Sequence, residues 1–598
     1  MTPKFITVFS ACIYFISLTA CSKDVQAEEP QSHQETSGGE AYLEEAGAQL
    51  QVGPWSMASW NIELPTVNYL NSVKAGWRSG DPLKGEPLLA DDIDKNTGLP
   101  KRMRGRAVNS EYIFGTQQPL QGLAGDWVME VDGEATVKPG LASHRVRINK
   151  YRFEWDRTAD GRKSAGSYVS FSDIKGPLSS LAIFKKENEE RFRAGKFWSQ
   201  RFVDEVSKYH IVRSMDLQRT NDIFVTRADQ IPPKEYTFWA NDRDTTAPFQ
   251  SLPHEALVAL STETGRPLWF QTPLHLGFPY AWTDPEVGEA QNNLRDQAKK
   301  HADEIIDSPE WDQYARDFVA ALEKGDYPTD RLLYASTGNE VWNFAWPFAV
   351  NTNYAKGLGA GLLNKDDPVS FRDGYAAAFV RSILALDKAL EEVGREQSIV
   401  FVLESHVANA FVTRRTIEAM KREFKRHGRD WEEFASYIGI SVTSYWGAQN
   451  TFELFAPKAE WESRIQEQDP TLANDFADWI IDQPDPKILL TNAWVLDKWR
   501  EHAKVAEQNG AFFLGAYEGG SHMKRPKWLD RDWYHQFHWG EEGGRVNKAV
   551  NDTLREAFPN AILSNYAIAG REGSSPWAEG EYGAQNPYAL SWKSHQKQ

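Results

Sequence analysis

The chain has 598 residues, of which 41% are hydrophobic and 25% are charged, as in ordinary globular proteins. Its 42 glycines and 30 prolines exclude a collagen-like or low-complexity chain, and the length allows two or more domains. Acidic residues outnumber basic ones by 84 to 67, which gives a net charge of −17. This charge argues against nucleic acid as the main partner, because phosphate requires a basic face.

The N-terminus carries an apolar run over residues 5–20, preceded by Lys4. The run indicates an export signal, since it is too short and too close to the N-terminus for a stable membrane span. It leads into LTAC, ending at Cys21, which resembles the lipobox of bacterial lipoproteins. The resemblance implies cleavage before Cys21 and lipidation of that cysteine, and Ser22 resembles the outer-membrane sorting pattern. We therefore expect an outer-membrane lipoprotein; an ordinary signal peptide over residues 1–20 is the alternative.

The only two cysteines are Cys12, inside the apolar run, and Cys21. A mature chain whose one cysteine carries lipid has no disulfide, no cysteine-based metal site and no cysteine nucleophile. Residues 21–40 are polar and lack apolar periodicity, which predicts a flexible tether. Beyond it we expect a soluble, monomeric body that requires no metal and no organic cofactor.

Apolar strand-like runs alternate with amphipathic helical segments in the second half of the chain. The strands are predicted at 210–215, 267–271, 331–336, 398–403, 438–444, 511–516 and 561–566. The helices are predicted at 292–306, 374–393, 412–426, 494–508 and 546–558. This alternation implies a parallel sheet, and an early strand at 56–61 brings the number to eight, which predicts a (β/α)8 TIM barrel.

A different pattern interrupts the barrel after its first strand. Residues 126–131 and 144–148 alternate with period two and are separated by Asp-Gly and Pro-Gly turns, which is typical of antiparallel strands. We predict a small inserted β domain over residues 116–185. Residues 41–115 and 186–598 then supply the first part and the remainder of the catalytic barrel.

Two apolar strands each deliver a glutamate near the carboxyl end. Glu340 ends RLLYASTGNE and Glu518 ends AFFLGAYE. Active sites of parallel barrels gather at this end of the strands, so closure brings the two carboxylates together. A pair of this kind suits glycoside hydrolysis, in which one carboxyl group is protonated and the other is ionised. Glu404 also ends an apolar strand and is an alternative nucleophile or a supporting partner.

The block TGNEVWN after a strand resembles the Asn-Glu signature of clan A glycoside hydrolases. In that clan the acid/base glutamate follows strand four and the nucleophile ends strand seven, which agrees with the strand count above. The resemblance implies that Glu340 is the acid/base, Glu518 is the nucleophile and Asn339 binds the sugar 2-hydroxyl. It also implies a hydrogen bond from Tyr445 to the nucleophile; a packed aromatic is the alternative for that residue.

Other polar residues near predicted strand ends are candidates for substrate binding. Arg219 and Asn221 follow strand two and either orient Glu518, bind sugar hydroxyls or face solvent. An arginine beside the nucleophile would hold its pKa down. His275 follows strand three, where it contacts a sugar hydroxyl or forms part of the core.

Tryptophans after strand ends are candidate walls for sugar rings, because indole faces stack on the apolar faces of pyranoses. The candidates are Trp342, Trp446 and Trp577, each of which has a core position as its alternative. Lys524 and Arg525 follow strand seven and suggest an anionic sugar.

These features predict a retaining glycoside hydrolase that cleaves β-glycosidic bonds in a polysaccharide or oligosaccharide, with a sulfated algal galactan as one possible substrate. The alternative from a different class is a non-catalytic surface glycan-binding lipoprotein, which needs tryptophan platforms but neither glutamate. A polysaccharide lyase is a third hypothesis, and it would require a tyrosine or histidine base near a uronate.

Overall fold

The computed structural model describes most of residues 65–565 and the backbone of Gln49–Val52. The segments outside this description are 1–48, 53–64, 75, 81–84, 103–107, 111–124, 141–144, 148–151, 158–167, 222, 242, 244–246, 288–290, 346, 365–369, 449, 489, 524 and 566–598. The predicted export signal, the lipidated Cys21, the tether and Trp577 therefore lie outside the described residues. The same is true of the strand predicted at 56–61.

Parallel strands of the second half of the chain form one curled sheet, in which neighbours in sequence are neighbours in space. Its seven strands are Ile211–Arg213, Leu268–Thr272, Leu333–Thr337, Ile399–Glu404, Ile438–Trp446, Phe512–Ser521 and Ile562–Asn565. Gln49–Val52 pairs in parallel with the first and with the last of them. Gln49–Val52 lies a few residues before the early strand that the sequence predicted at 56–61.

The concave side of the sheet is filled by side chains that the strands contribute in turn. They form one buried apolar cluster, which comprises Ile211, Trp269, Tyr334, Val400, Val402, Phe512, Leu514, Tyr517 and Ile562. These bulky residues alternate along their strands with residues that face the surrounding helices, as the period of two in a strand requires. The interior is consequently a packed core, and polar side chains gather only at the carboxyl ends of the strands.

Helices follow the strands of the curled sheet and cover its outer face. They are Glu189–Arg193, Gln200–Val206, His254–Thr264, Gln291–Lys300, Ala302–Ile306, Glu310–Lys324, Ala349–Leu362, Phe371–Glu392, Ala410–Arg426, Thr451–Phe455, Lys458–Gln466, Leu472–Asp482, Asn492–Glu507, Arg531–Trp539 and Glu541–Ala557. Four helices stand between the strands at 438–446 and 512–521, where the sequence predicted one. None of the helices in the described part of the chain is long and apolar enough to cross a bilayer.

Two antiparallel sheets lie between Gln49–Val52 and the strand at 211–213 in the chain. One sheet contains Ser180–Lys185, Gly125–Asp132, Arg152–Arg157 and Arg145–Arg147, in that order. The other contains Glu86–Pro87, Trp77–Ser79, Val108–Ser110, Tyr168–Ile174 and Ala135–Gly140. Antiparallel pairing therefore begins at Trp77, within the stretch 41–115 that the sequence assigned to the barrel. Strands of two or three residues are too short to show a period of two, so the sequence pattern did not mark them.

Candidate active site

Arg213, the last residue of its strand, is the centre of a buried polar cluster at the carboxyl ends of the parallel strands. Its Nη1 donates to Glu518 Oε1 at 2.9 Å. Its Nη2 donates to Glu404 Oε1 at 2.8 Å and to Asn339 Oδ1 at 2.8 Å. One guanidinium thus links groups delivered by three other strands, and its planar fork is suited to holding two carboxylates at once.

The surroundings of Arg213 fix the guanidinium further. Its Cζ lies 5.5 Å from the ring centroid of Trp269 and 5.1 Å from that of Tyr517. Burial disfavours the charge of Arg213, but Glu404 and Glu518 outweigh this and raise its pKa above the ordinary value. Arg213 is therefore a permanent positive charge at the floor of the site.

Glu518 lies within the strand Phe512–Ser521, and both of its carboxylate oxygens have a donor. Arg213 bonds Oε1, and the hydroxyl of Tyr445 donates to Oε2 at 3.0 Å, as the clan A resemblance implies. Burial raises the pKa of Glu518 above its ordinary value, and Arg213 and Tyr445 oppose this rise by stabilising the ionised form. The strand is tightly packed beside this residue, because a Cβ on Gly519 would lie 2.1 Å from Ser444 Oγ.

Glu340 follows the strand Leu333–Thr337 in a sharp turn with a backbone φ of +44°. A positive φ is strained for a residue with a Cβ, and such strain is found at functional sites. Asn343 Nδ2 donates to Glu340 Oε2 at 2.8 Å. Burial and the negative charge of Glu518 raise the pKa of Glu340 to about 8. Glu340 is consequently protonated at neutral pH.

The environments of Glu340 and Glu518 thus differ in the groups that surround each carboxyl. Glu518 has a buried arginine and a tyrosine hydroxyl that favour its ionised form, whereas Glu340 has an amide donor and a nearby negative charge. Because the charge of Glu518 raises the pKa of Glu340, ionisation of one carboxyl group keeps the other protonated. One acid and one anion facing the same space are the components of double-displacement glycoside hydrolysis.

Glu404, the alternative nucleophile, is held on the far side of Arg213. Its Oε1 accepts hydrogen bonds from Arg213 and, at 3.0 Å, from Gln271 Nε2. Burial raises the pKa of Glu404 to about 7, against the effect of Arg213. Among the causes that shift the pKa of Glu340, Glu404 contributes least and Glu518 the most of any charge. Glu518 is therefore the partner of Glu340, and Glu404 is a buried counter-charge for Arg213.

Asn339 precedes Glu340 and is buried with both ends of its amide paired. Its Oδ1 accepts from Arg213, and its Nδ2 donates to Asn221 Oδ1 at 3.2 Å. Asn351 Nδ2 also donates to the backbone carbonyl of Asn339 at 3.3 Å. The amide therefore connects Arg213 to Asn221, which is half-buried.

Arg213, and not Arg219, is the arginine that bonds Glu518. Arg219 sits in a turn with φ +56°, is buried, and donates from Nη1 to the carbonyl of Ala240 at 2.5 Å. The available signal for Arg213 was a lone arginine inside an otherwise apolar strand, HIVRSM. A buried arginine requires a buried acceptor, so the pattern pointed to a carboxylate.

His275 also differs from its predicted role as a sugar ligand. It is 2% exposed, and its ring packs 4.2 Å from that of Phe224 and 4.5 Å from that of Tyr354, measured between centroids. Burial lowers the pKa of His275 to about 3. It is a neutral histidine of the core, which was the alternative reading.

The candidate tryptophan platforms separate into different environments. Trp446 is 2% exposed and donates from Nε1 to Asn547 Oδ1 at 3.1 Å, so it belongs to the core. Trp342 is half-buried, with its ring 4.3 Å from that of His406, and it is the one of the two that has an accessible surface.

The basic pair Lys524 and Arg525 is described only in part. Lys524 and Trp577 lie outside the described residues. Arg525 donates from Nη1 to the carbonyl of Leu529 at 2.6 Å and so closes its own loop. In the described part of the chain no three histidine, cysteine, aspartate or glutamate side chains are grouped as metal ligands.

Comparison with known proteins gives only distant structural likenesses. No protein-family model matches the chain, and no curated protein matches it. One similar solved structure contains the CBM22-1 and GH10 modules of the Clostridium thermocellum endo-1,4-β-D-xylanase 10B complexed with xylohexaose. The two chains are 8% identical, the TM-score is 0.35, and the match covers 89% of this chain and 96% of that chain. Another is a GH5 xyloglucan-specific endo-β-1,4-glucanase from a metagenomic library, complexed with cellotriose, with 12% identity and a TM-score of 0.29 over 65% and 82%. Both are glycoside hydrolases, but because their TM-scores are below 0.5 we base the function on the geometry of the site.

Proposed function

We propose that this protein is a retaining glycoside hydrolase of the clan A type. Its fold is then a (β/α)8 barrel in which Gln49–Val52 is the first strand. Counted in this way, Glu340 follows the fourth strand and Glu518 lies in the seventh. The substrate is a polysaccharide or oligosaccharide with β-glycosidic bonds.

Catalysis begins with transfer of the Glu340 proton to the glycosidic oxygen. The Glu518 carboxylate attacks the anomeric carbon as the bond to that oxygen breaks, which leaves a glycosyl ester on Glu518 and a free leaving-group hydroxyl. Glu340, now ionised, removes a proton from water. The resulting hydroxide displaces Glu518, so the product keeps the original anomeric configuration.

The observation that carries this proposal is the difference in hydrogen-bond partners between the two interacting glutamates. Arg213 and Tyr445 donate to both oxygens of Glu518, and burial together with Glu518 raises the pKa of Glu340 to about 8. A purely binding protein has no need for two buried carboxyl groups that interact, and burying such a pair costs stability. Asn221 and Trp342 offer the accessible polar and aromatic surface for sugar.

The proposal extends to the cellular setting through residues outside the described part. Lipidation at Cys21 would anchor the enzyme to the outer membrane by the tether at 21–40, with its body facing the polysaccharide. A glycan-binding lipoprotein without catalysis is the competing hypothesis.

The experiment is reducing-sugar release by the full-length protein against a panel of neutral and sulfated polysaccharides. Wild type, Glu340→Gln and Glu518→Gln are assayed in parallel, with Glu432→Gln, an exposed surface carboxylate, as the matched control. We expect activity in wild type and the control and its loss in both site variants. Glycan binding with no turnover by wild type would favour the binding lipoprotein, and full activity of Glu518→Gln would reassign the nucleophile to Glu404.

A further inference from the structure

Beside Glu340 the surface changes from polar to aromatic and basic. We call this surface the Phe–Arg patch; its residues are Phe344, Phe371, Arg372, Phe411, Arg414 and Arg415. Phe344 is 56% exposed and Phe411 is 46% exposed, which is unusual for phenylalanine. The rings of Phe344 and Phe371 meet edge to face, with centroids 5.7 Å apart.

Three arginines surround the ring of Phe411. The Cζ atoms of Arg372, Arg414 and Arg415 lie 5.3, 5.2 and 5.7 Å from its centroid. Arg372 also lies 5.4 Å from the ring of Phe371, so it joins the two aromatic groups. Cation–π contacts of this kind position a guanidinium plane and leave its N–H edges available to an acceptor.

The two arginines that the helix Ala410–Arg426 contributes to the patch differ in their partners. Arg415 donates to Glu418 at 2.6 Å, and the nearby Asp373 pairs with Arg422. Arg414 is exposed and has no hydrogen bond or ion pair to the residues that the structure describes. A basic cluster at this place stands out in a chain whose net charge is −17.

The chain connects the patch directly to the proposed acid/base. Phe344 follows Asn343, the residue whose amide holds Glu340. Phe371 and Phe411 begin the helices Phe371–Glu392 and Ala410–Arg426, which start at the carboxyl ends of the parallel strands. A saccharide long enough to pass from Glu340 along Phe344 therefore reaches the arginines.

We propose that the Phe–Arg patch is a subsite for an acidic sugar unit of the substrate, next to the bond that is cleaved. Phe344 provides the face on which a pyranose ring stacks, and Arg414 binds its anionic group. A sulfate ester and a uronic carboxylate share this chemistry. The assignment rests on the proposed function, since it takes Glu340 as the place of cleavage. An anionic membrane surface suits exposed phenylalanine and arginine too, but contact with a bilayer here would cover the entrance to Glu340.

The test measures binding by affinity electrophoresis and calorimetry, using full-length Glu340→Gln protein so that the glycan is not cut. The probes are a sulfated galactan with its desulfated form, and polygalacturonate with its methyl ester. Further substitutions are Arg414→Gln and Phe344→Ala. Lys425→Gln removes one exposed positive charge from the other end of the same helix, and Leu454→Ala shortens an exposed apolar residue elsewhere.

We expect the Kd for one acidic polymer to rise about tenfold in Arg414→Gln, because a charge-assisted hydrogen bond is lost, and Lys425→Gln to leave it unchanged. Phe344→Ala weakens the acidic and the neutral form alike, and Leu454→Ala weakens neither. Preference for the sulfated polymer identifies a sulfate ester, and preference for polygalacturonate identifies a carboxylate.

Equal binding of acidic and neutral polymers, equal effects of Arg414→Gln and Lys425→Gln, or no binding of any acidic polymer would overturn the subsite. Cosedimentation with phosphatidylglycerol vesicles that Arg414→Gln abolishes, with glycan binding unchanged, would assign the patch to a membrane instead. Failure of the proposed function would look different. If wild type hydrolyses no glycan but prefers acidic glycan in a way that depends on Arg414, the subsite stands and the hydrolase proposal fails.

Discussion

Arg213 Nη1 lies 2.9 Å from Glu518 Oε1, and this bond joins residues 305 positions apart in the chain. The same guanidinium bonds Glu404, so a single cation balances two buried carboxylates. Breaking a buried ion pair by removing one partner is strongly destabilising, because the remaining charge is left without compensation. Arg213 is therefore the main positive charge that stabilises the ionised form of the proposed nucleophile.

Arg213→Lys should separate the effect of charge from that of geometry. Lysine keeps the positive charge but lacks the planar fork by which separate nitrogens of Arg213 bond Glu518 and Glu404. We expect the pKa of Glu518 to rise, so that the acidic limb of the pH profile of kcat/KM moves to higher pH, with a loss of stability of about 3–5 kcal/mol. Arg266→Lys is the control, since Arg266 bonds only the carbonyl of Ser207 among the described residues. An acidic limb that stays in place would contradict the role of Arg213.

The alkaline limb of the pH profile reports Glu340. Because Glu340 must be protonated to donate to the leaving oxygen, kcat/KM should fall above its pKa of about 8. Asn343 donates to the Glu340 carboxyl group and lowers its pKa, so Asn343→Ala should move this limb to higher pH. Asn353→Ala, which removes an amide bonded to the carbonyl of Ala349, serves as the comparison and should leave the limb in place. An alkaline limb below pH 6 in wild type would be inconsistent with Glu340 as the acid.

The pH dependence of folding stability should also report the protonation of Glu340. The pKa of Glu340 is about 8 in the folded protein, against an ordinary value of 4.5, so between these values only the folded state binds the proton. The unfolding free energy then falls as pH rises through this window, by about 1.4 kcal/mol per pH unit for this group. Glu340→Gln removes that dependence. The melting temperature of the variant relative to that of wild type should therefore rise steadily from pH 5 to pH 8. Parallel curves for the two proteins would show that Glu340 is not protonated in the folded state.

Tyr445→Phe tests the second donor to Glu518. The hydroxyl donates at 3.0 Å to Oε2, and a hydrogen bond to a charged group contributes roughly 1.5–3 kcal/mol. We expect kcat/KM to fall by about tenfold to a hundredfold, because the hydrogen bond that holds the Glu518 carboxylate in its ionised, attacking position is lost. Tyr437→Phe, which changes an exposed tyrosine, should have no effect. Unchanged kinetics of Tyr445→Phe would reduce that residue to a packed aromatic.

The sequence predicted the two glutamates because each stands directly after an apolar run, and strand ends can be recognised locally. It did not predict the network around them. Arg213 meets Asn339, Glu404 and Glu518 only through the pairing of the parallel strands, over separations of 126 to 305 residues that no local pattern records. The burial of Trp446 and His275 is also decided by neighbours distant in sequence, which is why strand-end position alone suggested a sugar contact for both.

The first parallel strand illustrates the same limit at the level of the fold. Gln49–Val52 is short and contains two glutamines, so it lacks the apolar run that marks the other strands. Its place is set by pairing with residues near 211 and near 562. The antiparallel strands Trp77–Ser79 and Val108–Ser110 are also short, and only their partners define them.

The most direct test of the account is to trap the glycosyl-enzyme. Full-length Glu340→Ala protein, which cannot activate water, is incubated with a 2-deoxy-2-fluoro glycoside carrying an activated leaving group, built from the sugar that the polysaccharide panel identifies. It is then digested and mapped by mass spectrometry. The account predicts one added glycosyl mass on the peptide that contains Glu518, and none when Glu518 is replaced by Gln in the same protein. A label on the peptide that contains Glu404, or hydrolysis by wild type with inversion of the anomeric configuration, would contradict it.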